Sequence, residues 1–261
     1  MITSTSNARI KQLALWNQKA KERRKDGVFI AEGIKMFEEA PAGWIKEVYV
    51  SESFYNKVTD AQMKKLEQNN YEVVSDTVFQ KVSDTQTPQG ILCVLKRPEY
   101  TFMDLGMLRK SQPLVMVLED IQDPGNLGTI LRTGEGAGVT GVIMTKETVD
   151  IFNPKTIRAT MGSIYRMPFL YVDSIEEAIE KLKRNNIQVY AAHLKGERSY
   201  SELNYTRGTA FLIGNEGNGL KEKTAALADT YLKIPMEGRV ESLNAAIASA
   251  ILMYEAHRQR G

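Results

Sequence analysis

The chain has 261 residues, 43% hydrophobic and 25% charged, a balance that suits one large domain or two modest ones. Its longest apolar runs, about eight residues, are too short to span a bilayer, and Met1-Ile2-Thr3-Ser4-Thr5-Ser6 lacks the pattern of a signal peptide. The lone cysteine, Cys93, excludes an intrachain disulfide and a cysteine-rich zinc site. A reducing, cytoplasmic setting without membrane or metal is therefore expected.

A net charge of +2 does not announce a nucleic-acid binder. Its distribution says more. Arg9, Lys11, Lys19, Lys21, Arg23, Arg24 and Lys25 stand close together with one acid, Glu22, among them. Such a run is either a solvated helix face or a patch that contacts phosphates.

Helical spacing predicts a helix over residues 6–20, with Ile10, Leu13 and Ala14 on one face. Val28-Phe29-Ile30-Ala31 reads as a strand, Glu32-Gly33 as a turn, and a helix follows through Ala40. Ile45 to Val50 is a second strand, 60–69 a helix, Tyr71 to Val74 extended, and Ile91 to Leu95 a buried strand. This makes residues 1–97 a small α/β domain. Pro98, Gly106 and Pro113, with the polar residues between them, place a linker over 98–112.

Residues 113–261 alternate strongly. Strands are expected at Leu114–Glu119, Gly141–Thr145, Pro168–Val172, Gln188–His193, Ala210–Ile213 and Tyr231–Ile234, mostly with helices between. Ser174-Ile175-Glu176-Glu177 has the pattern of a capping box, and Ile175, Ala178, Ile179 and Leu182 form the stripe behind it. The last helix has a stripe of Leu243, Ile247, Ala250, Ile251 and Tyr254. Strands apolar throughout and separated by helices imply an α/β fold with a mainly parallel sheet covered on both faces. Ligands of such sheets sit beyond the carboxyl ends of the strands.

Three blocks fall there. The first is Asp123-Pro124-Gly125-Asn126-Leu127-Gly128 running to Arg132. Asn126 is placed to cap the helix, and Arg132 lies about one and a half turns in. Alone, the block reads more readily as a capped helix with a surface arginine. The second is Ile213-Gly214-Asn215-Glu216-Gly217-Asn218-Gly219-Leu220. It fits neither a P-loop nor the dinucleotide fingerprint, and Glu216 would repel phosphate. A cationic ligand or a nucleoside suits it better; the bland alternative is a tight turn with an exposed glutamate. The third runs from Ile234-Pro235-Met236 to Ser242-Leu243-Asn244, where Ser242 can be both helix cap and site residue. The blocks offer amides, a hydroxyl, a carboxylate and a guanidinium. That set positions a small molecule and a hydroxyl nucleophile better than it does covalent or metal chemistry. His193 reads as structural, and Met161, Met167 and Met236 as fillers of core gaps.

Together the blocks resemble the SpoU (TrmH-type) family of RNA 2′-O-ribose methyltransferases, of the SPOUT class. The resemblance spans about 113 to 258. Residues 1–97, through Ser6-Asn7 with Lys11 and through Ala31-Glu32-Gly33, are similar to the substrate-binding domain of many members, a ribosomal-protein L30e-like fold. The resemblance implies a C-terminal trefoil knot, a homodimer, and S-adenosylmethionine bound by Gly214, Ile234 and Leu243. It also implies that Asn126, Arg132, Glu216, Ser242 and Asn244 are catalytic positions. Gly134 stands where a small Ala is common in the family. The implied substrate is RNA, ribosomal before transfer RNA, with a transfer-RNA ribose methyltransferase left open. Two other readings stay open: a non-catalytic RNA-binding protein of this fold and a nucleotide-cofactor oxidoreductase.

Overall fold

The computed structural model describes residues 1–107 and 112–261. The strands are β1 (Val28–Glu32), β2 (Ile45–Ser51), β3 (Tyr71–Val74), β4 (Ile91–Lys96), β5 (Leu114–Leu118), β6 (Gly141–Thr145), β7 (Phe169–Val172), β8 (Gln188–Ala192), β9 (Arg198–Ser199), β10 (Thr209–Ile213) and β11 (Thr230–Lys233). The helices are α1 (Ala8–Gln18), α2 (Ala20–Asp26), α3 (Ile34–Glu39), α4 (Glu52–Tyr55), α5 (Asp60–Glu67), α6 (Asp76–Val82), α7 (Pro124–Gly136), α8 (Pro154–Thr160), α9 (Ile175–Arg184), α10 (Glu222–Ala225) and α11 (Ala245–Arg260). The chain divides into two compact units. Met1–Glu99 with Asp150–Tyr165 form the first, and Tyr100–Val149 with Arg166–Gly261 the second. Of the segment expected as linker, Leu105 is buried in the core of the second unit, and residues 108–111 lie outside the described residues.

The first unit is built on a mixed sheet ordered β1-β4-β2-β3, with β4 antiparallel to both neighbours and β3 parallel to β2. Asn7 caps α1 by accepting from the Arg9 amide, and Ile10 and Leu13 bury against Val28, Ile30, Tyr49 and Phe79. The helix expected over 6–20 breaks at Lys19, whose backbone is extended, and α2 begins after it.

The basic run is thinner than its sequence suggests. Arg23 is 3% exposed, donates to the Trp16 and Asn17 carbonyls, and pairs with Asp150 at 2.6 Å. Arg9 pairs with Glu47 and Glu72. Lys11, Lys19, Lys21, Arg24 and Lys25 remain exposed. The segment Asp150–Tyr165 belongs to this unit's core: the Phe152 ring lies 4.8 Å from Phe29, and the Tyr165 hydroxyl donates to the Met36 carbonyl at 2.9 Å.

The second unit is a parallel sheet ordered β7-β6-β5-β10-β8-β11-β9. Its inner strands β5, β6 and β10 are buried at every residue, as strands covered on both faces must be. Ser174 caps α9 by accepting from the Glu177 amide, and Ile175, Ala178, Ile179 and Leu182 are buried as expected. Glu177 does not complete the box; the neighbouring Glu176 instead binds Lys223, which holds the Glu176 carboxyl down to about 2.

The last helix reverses its expected face. Ala245, Ala246, Ser249, Leu252, Met253 and Ala256 are buried, while Ile247 and Tyr254 are each 51% exposed. Small residues let α11 come close to α7, where a Cβ on the buried Gly134 would stand 3.4 Å from the Met253 sulfur. Of the three methionines expected in the core, Met167 is buried, but Met161 and Met236 are exposed.

Candidate active site

With neighbouring strands parallel, the carboxyl ends of β5, β10, β8 and β11 emerge side by side along one edge of the sheet. The loops that follow them carry the expected site residues except Asn126 and Arg132, which lie on α7.

The loop after β5 delivers α7. Asp123, not Asn126, is its N-cap and accepts from the Asn126 amide at 2.8 Å. The reason is Pro124. Its fixed φ suits the first helical position and makes the preceding residue extended, so the cap falls at Asp123. Asn126 is thereby moved into the first turn with its side chain free. Its Nδ2 donates to Glu216 Oε1 at 3.0 Å, and its Oδ1 accepts from Asn244 Nδ2 at 3.0 Å. Glu216, Asn126 and Asn244, 118 positions apart at the extremes, are one hydrogen-bonded chain.

Glu216 also accepts from the backbone amides of Gln122 and Asp123, at 3.0 and 3.1 Å. Burial raises its pKa, but the hydrogen bonds from Asn126, Gln122 and Asp123 outweigh burial and hold the carboxyl below the ordinary glutamate value of 4.5. It is a stable anion and a weak base.

The loop that carries Glu216 is closed on itself. Asn215 and Gly219 exchange two backbone hydrogen bonds, at 3.1 and 2.9 Å. A Cβ on Gly214 would lie 2.1 Å from the backbone of Gly219 and Leu220, so only glycine fits there. The two residues just past β5, Glu119 and Asp120, grip the loop. Asn215 Nδ2 donates to the Asp120 carbonyl at 2.8 Å, the Lys221 ammonium pairs with the Asp120 carboxylate, and the buried Glu119 accepts from the Lys221 amide and the Thr224 hydroxyl. Asp120 holds a left-handed φ of +55° within this grip.

In the third block Asn244, not Ser242, is the helix cap. Its Oδ1 accepts from the amides of Ala246 and Ile247. One side chain thus caps α11 with its oxygen and reaches Asn126 with its nitrogen. Ser242 lies exposed two residues before it. Arg132 lies a little over two turns into α7, because the helix starts at Pro124. It is exposed, about 9 Å along the axis from Asn126, and its side chain has no ion pair or hydrogen bond among the described residues. Neither Arg132 nor Ser242 is bonded into the chain of Glu216, Asn126 and Asn244.

Gly214, Ile234 and Leu243 are each half-buried. Sequence reasoning missed a further wall of this edge, the turn after β8. There the His193 amide donates to the Leu232 carbonyl, His193 Nδ1 accepts from the Lys195 amide, and Leu194 is 77% exposed. The signal was an apolar residue just past a strand end, between His193 and Lys195-Gly196. Glu119, Asp120 and Asn215 were missed too, because their partners are distant in the chain. Gly214, Leu194 and Ile234 follow the neighbouring strands β10, β8 and β11 at this edge of the sheet. Among the described residues no group of three or more His, Cys, Asp or Glu gathers as metal ligands would, and no helix is long and apolar enough to cross a membrane.

Residues 113–254 match the model of the SpoU rRNA methylase family, more than half of the chain. The chain belongs to the SpoU rRNA methylase family. It is an RNA methyltransferase that uses S-adenosylmethionine. Residues 7–93 match an MRM3-like substrate binding domain. Over 258 residues the chain is 34% identical to the 23S rRNA (guanosine(2553)-2′-O)-methyltransferase RlmP of Bacillus subtilis (strain 168), covering 97% of each chain. An AdoMet-bound rRNA methyltransferase from Sinorhizobium meliloti superposes with a TM-score of 0.83 at 31% identity, over 98% of this SpoU chain and 97% of that one. The SpoU methyltransferase AviRb from Streptomyces viridochromogenes, in complex with AdoMet, has a TM-score of 0.87 over 97% and 98% of the two chains; at 24% identity it supports the fold alone.

Proposed function

We propose that this SpoU member methylates a ribose 2′-oxygen of ribosomal RNA, with Asn126, Arg132, Glu216, Ser242 and Asn244 as its active-site residues. The observation that carries this reading is the hydrogen-bonded chain that joins Asn126, Glu216 and Asn244 from three loops at one sheet edge. The ribosomal-RNA substrate and the 2′-oxygen rest on the likeness to the Bacillus subtilis enzyme.

Gly214, Ile234 and Leu243, with Leu194, hold the S-adenosylmethionine, which when bound supplies an activated sulfonium methyl. The remaining task of the protein is to align and activate a hydroxyl. The Arg132 guanidinium stabilises the negative charge that develops on the 2′-oxygen as its proton passes to solvent water. Glu216 is an anion at neutral pH, held so by its hydrogen bonds. It fixes Asn126, and Asn126 with Asn244 sets the loops around the hydroxyl. Ser242, exposed on the same loop, contacts the ribose.

The first unit holds the RNA, with Lys11, Lys19, Lys21, Arg24 and Lys25 as its basic face. The outer face of α11, Ile247, Ile251 and Tyr254, pairs two copies into a homodimer, and the C-terminal part of the second unit is knotted as in the family. A ribosomal substrate places the enzyme in the cytoplasm. The test is transfer of labelled methyl to ribosomal RNA from a strain lacking the gene, followed by mapping of ribose methylation. Labelled RNA without a ribose methyl, or no labelling, overturns the reading.

A further inference from the structure

The first unit contains an open cleft of about 590 Å³, lined by none of the residues assigned to methyl transfer. Its volume lies in the range of small-ligand sites. The half-buried Phe54 gives it an aromatic side, and Lys57, Ser53, Asp76 and Gln89 line it as well.

The cleft is prebuilt, and Glu32 and Ile34 brace it. Glu32 accepts from the Ser83 hydroxyl, the Thr85 hydroxyl and the Asp84 amide, at 2.6, 2.7 and 3.1 Å. Beyond it, the Ile34 amide donates to Gln89 Oε1 at 2.8 Å. These bonds brace the 83–90 loop at both ends. Gly90, at φ +84°, sits so close to Ser51 and Phe54 that a Cβ there would lie 2.6 Å from the Ser51 hydroxyl oxygen and 2.7 Å from the Phe54 Cβ.

The polar group of most use to a ligand is the Asp76 carboxylate. Ser53 orients it through two bonds, amide to Oδ1 at 3.1 Å and hydroxyl to Oδ2 at 2.6 Å, and these hold the carboxyl below its usual range. A carboxylate only accepts, so its ligand must bring N–H or O–H groups. The aromatic side favours a flat ring. Lys57 favours a phosphate near by. A flat ring, adjacent N–H donors and a phosphate are together a guanine nucleotide, whose Watson–Crick edge offers two neighbouring N–H groups. That edge is free only in an unpaired, unstacked base.

We propose that this cleft receives one unstacked guanine of the RNA substrate, its Watson–Crick edge on Asp76, its face on Phe54 and its phosphate on Lys57. It is a recognition site, and the proposal rests on the RNA-methyltransferase reading above.

The test uses the full chain and three fluorescent single-stranded hexamers: hexauridylate, and the same strand with one guanosine or one inosine. The guanosine strand should bind about tenfold more tightly than hexauridylate, and inosine, which lacks the 2-amino group, should fall between. Asp76→Asn should erase the guanosine advantage, and Lys57→Ala should weaken every strand by the same factor. In both variants the KM for ribosomal RNA should rise while S-adenosylhomocysteine affinity and thermal midpoint stay put. Equal binding of the three hexamers, no binding of any, or a guanosine advantage that survives Asp76→Asn overturns the proposal. Methyl transfer by the same wild-type preparation separates the two readings. Transfer without base preference sinks the cleft alone, and base preference without transfer to any RNA sinks the enzyme reading.

Discussion

Glu216 in the second unit accepts from the Gln122 amide, the Asp123 amide and Asn126 Nδ2, and Glu32 in the first accepts from the Ser83 hydroxyl, the Asp84 amide and the Thr85 hydroxyl. Each carboxylate gathers three donors, but the reach differs. The partners of Glu32 are three consecutive residues, so its influence ends in one loop. The partners of Glu216 lie 90 to 94 positions away, and one of them, Asn126, passes the connection on to Asn244. A carboxylate bound within one loop is a brace. One bound to a side chain that binds a third loop is a junction, and its loss loosens every loop it joins.

Arg132 touches neither glutamate, and it sets the upper limit of the comparison. Arg132→Ala should lower kcat for methyl transfer by about 10²–10³-fold, the cost of removing one preorganised donor. S-adenosylhomocysteine binding by calorimetry should persist. Equal loss of both would make Arg132 a structural residue.

Gly214→Ala tests the junction from the backbone side. The added methyl cannot fit against Gly219 and Leu220, so the loop must open at about 1–3 kcal/mol. A thermal midpoint lower by about 5 °C and weaker cofactor binding are expected. An unchanged midpoint would show that the loop is not closed in solution.

The two glutamates are then compared directly. Glu216→Gln should lower kcat by about tenfold, in line with the loss of charge-assisted hydrogen bonds, and should also weaken S-adenosylhomocysteine binding. Glu32→Gln should leave kcat and cofactor affinity alone and raise the KM for RNA by about threefold, a smaller effect of the same kind. Equal effects of the two substitutions on kcat would remove the distinction between brace and junction.

The smallest effect is that of pH. The folded pKa of Glu216 lies below its ordinary value of 4.5. Its contribution is therefore complete above that value and is lost only as pH falls through the lower folded one. S-adenosylhomocysteine affinity, measured by titration from neutral pH downward, should not report Glu216 protonation until the solution is more acid than 4.5. A Glu216-dependent loss above 4.5, absent from Glu216→Gln, would contradict the hydrogen-bonding pattern.

Much of this was legible in the sequence. Leu114–Leu118 and Thr209–Ile213 are apolar at nearly every position, which is how buried parallel strands read, and the three blocks met at one edge as their strand ends implied. The roles within the blocks were less legible. Asn126 and Ser242 are good capping residues, but Pro124 shifts one cap to Asp123 and the other falls on Asn244. Helix α11 is apolar on two sides, and spacing alone cannot choose between them; the small Ala245, Ala246 and Ser249 decide, because they allow close approach to α7. Arg23 looked like part of a solvated run because its partner, Asp150, is 127 positions away.

The first unit also carries a lesson in timing. Its hydrophobic interior includes Phe152 and Tyr165, and its buried guanidinium at Arg23 is neutralised by Asp150. During synthesis the amino-terminal hundred residues leave the ribosome with that charge unmatched and β1 lacking its cover from α8. The unit can finish folding only after residue 165 has emerged, so a fragment cut at Glu99 should be a poor starting point for expressing it alone.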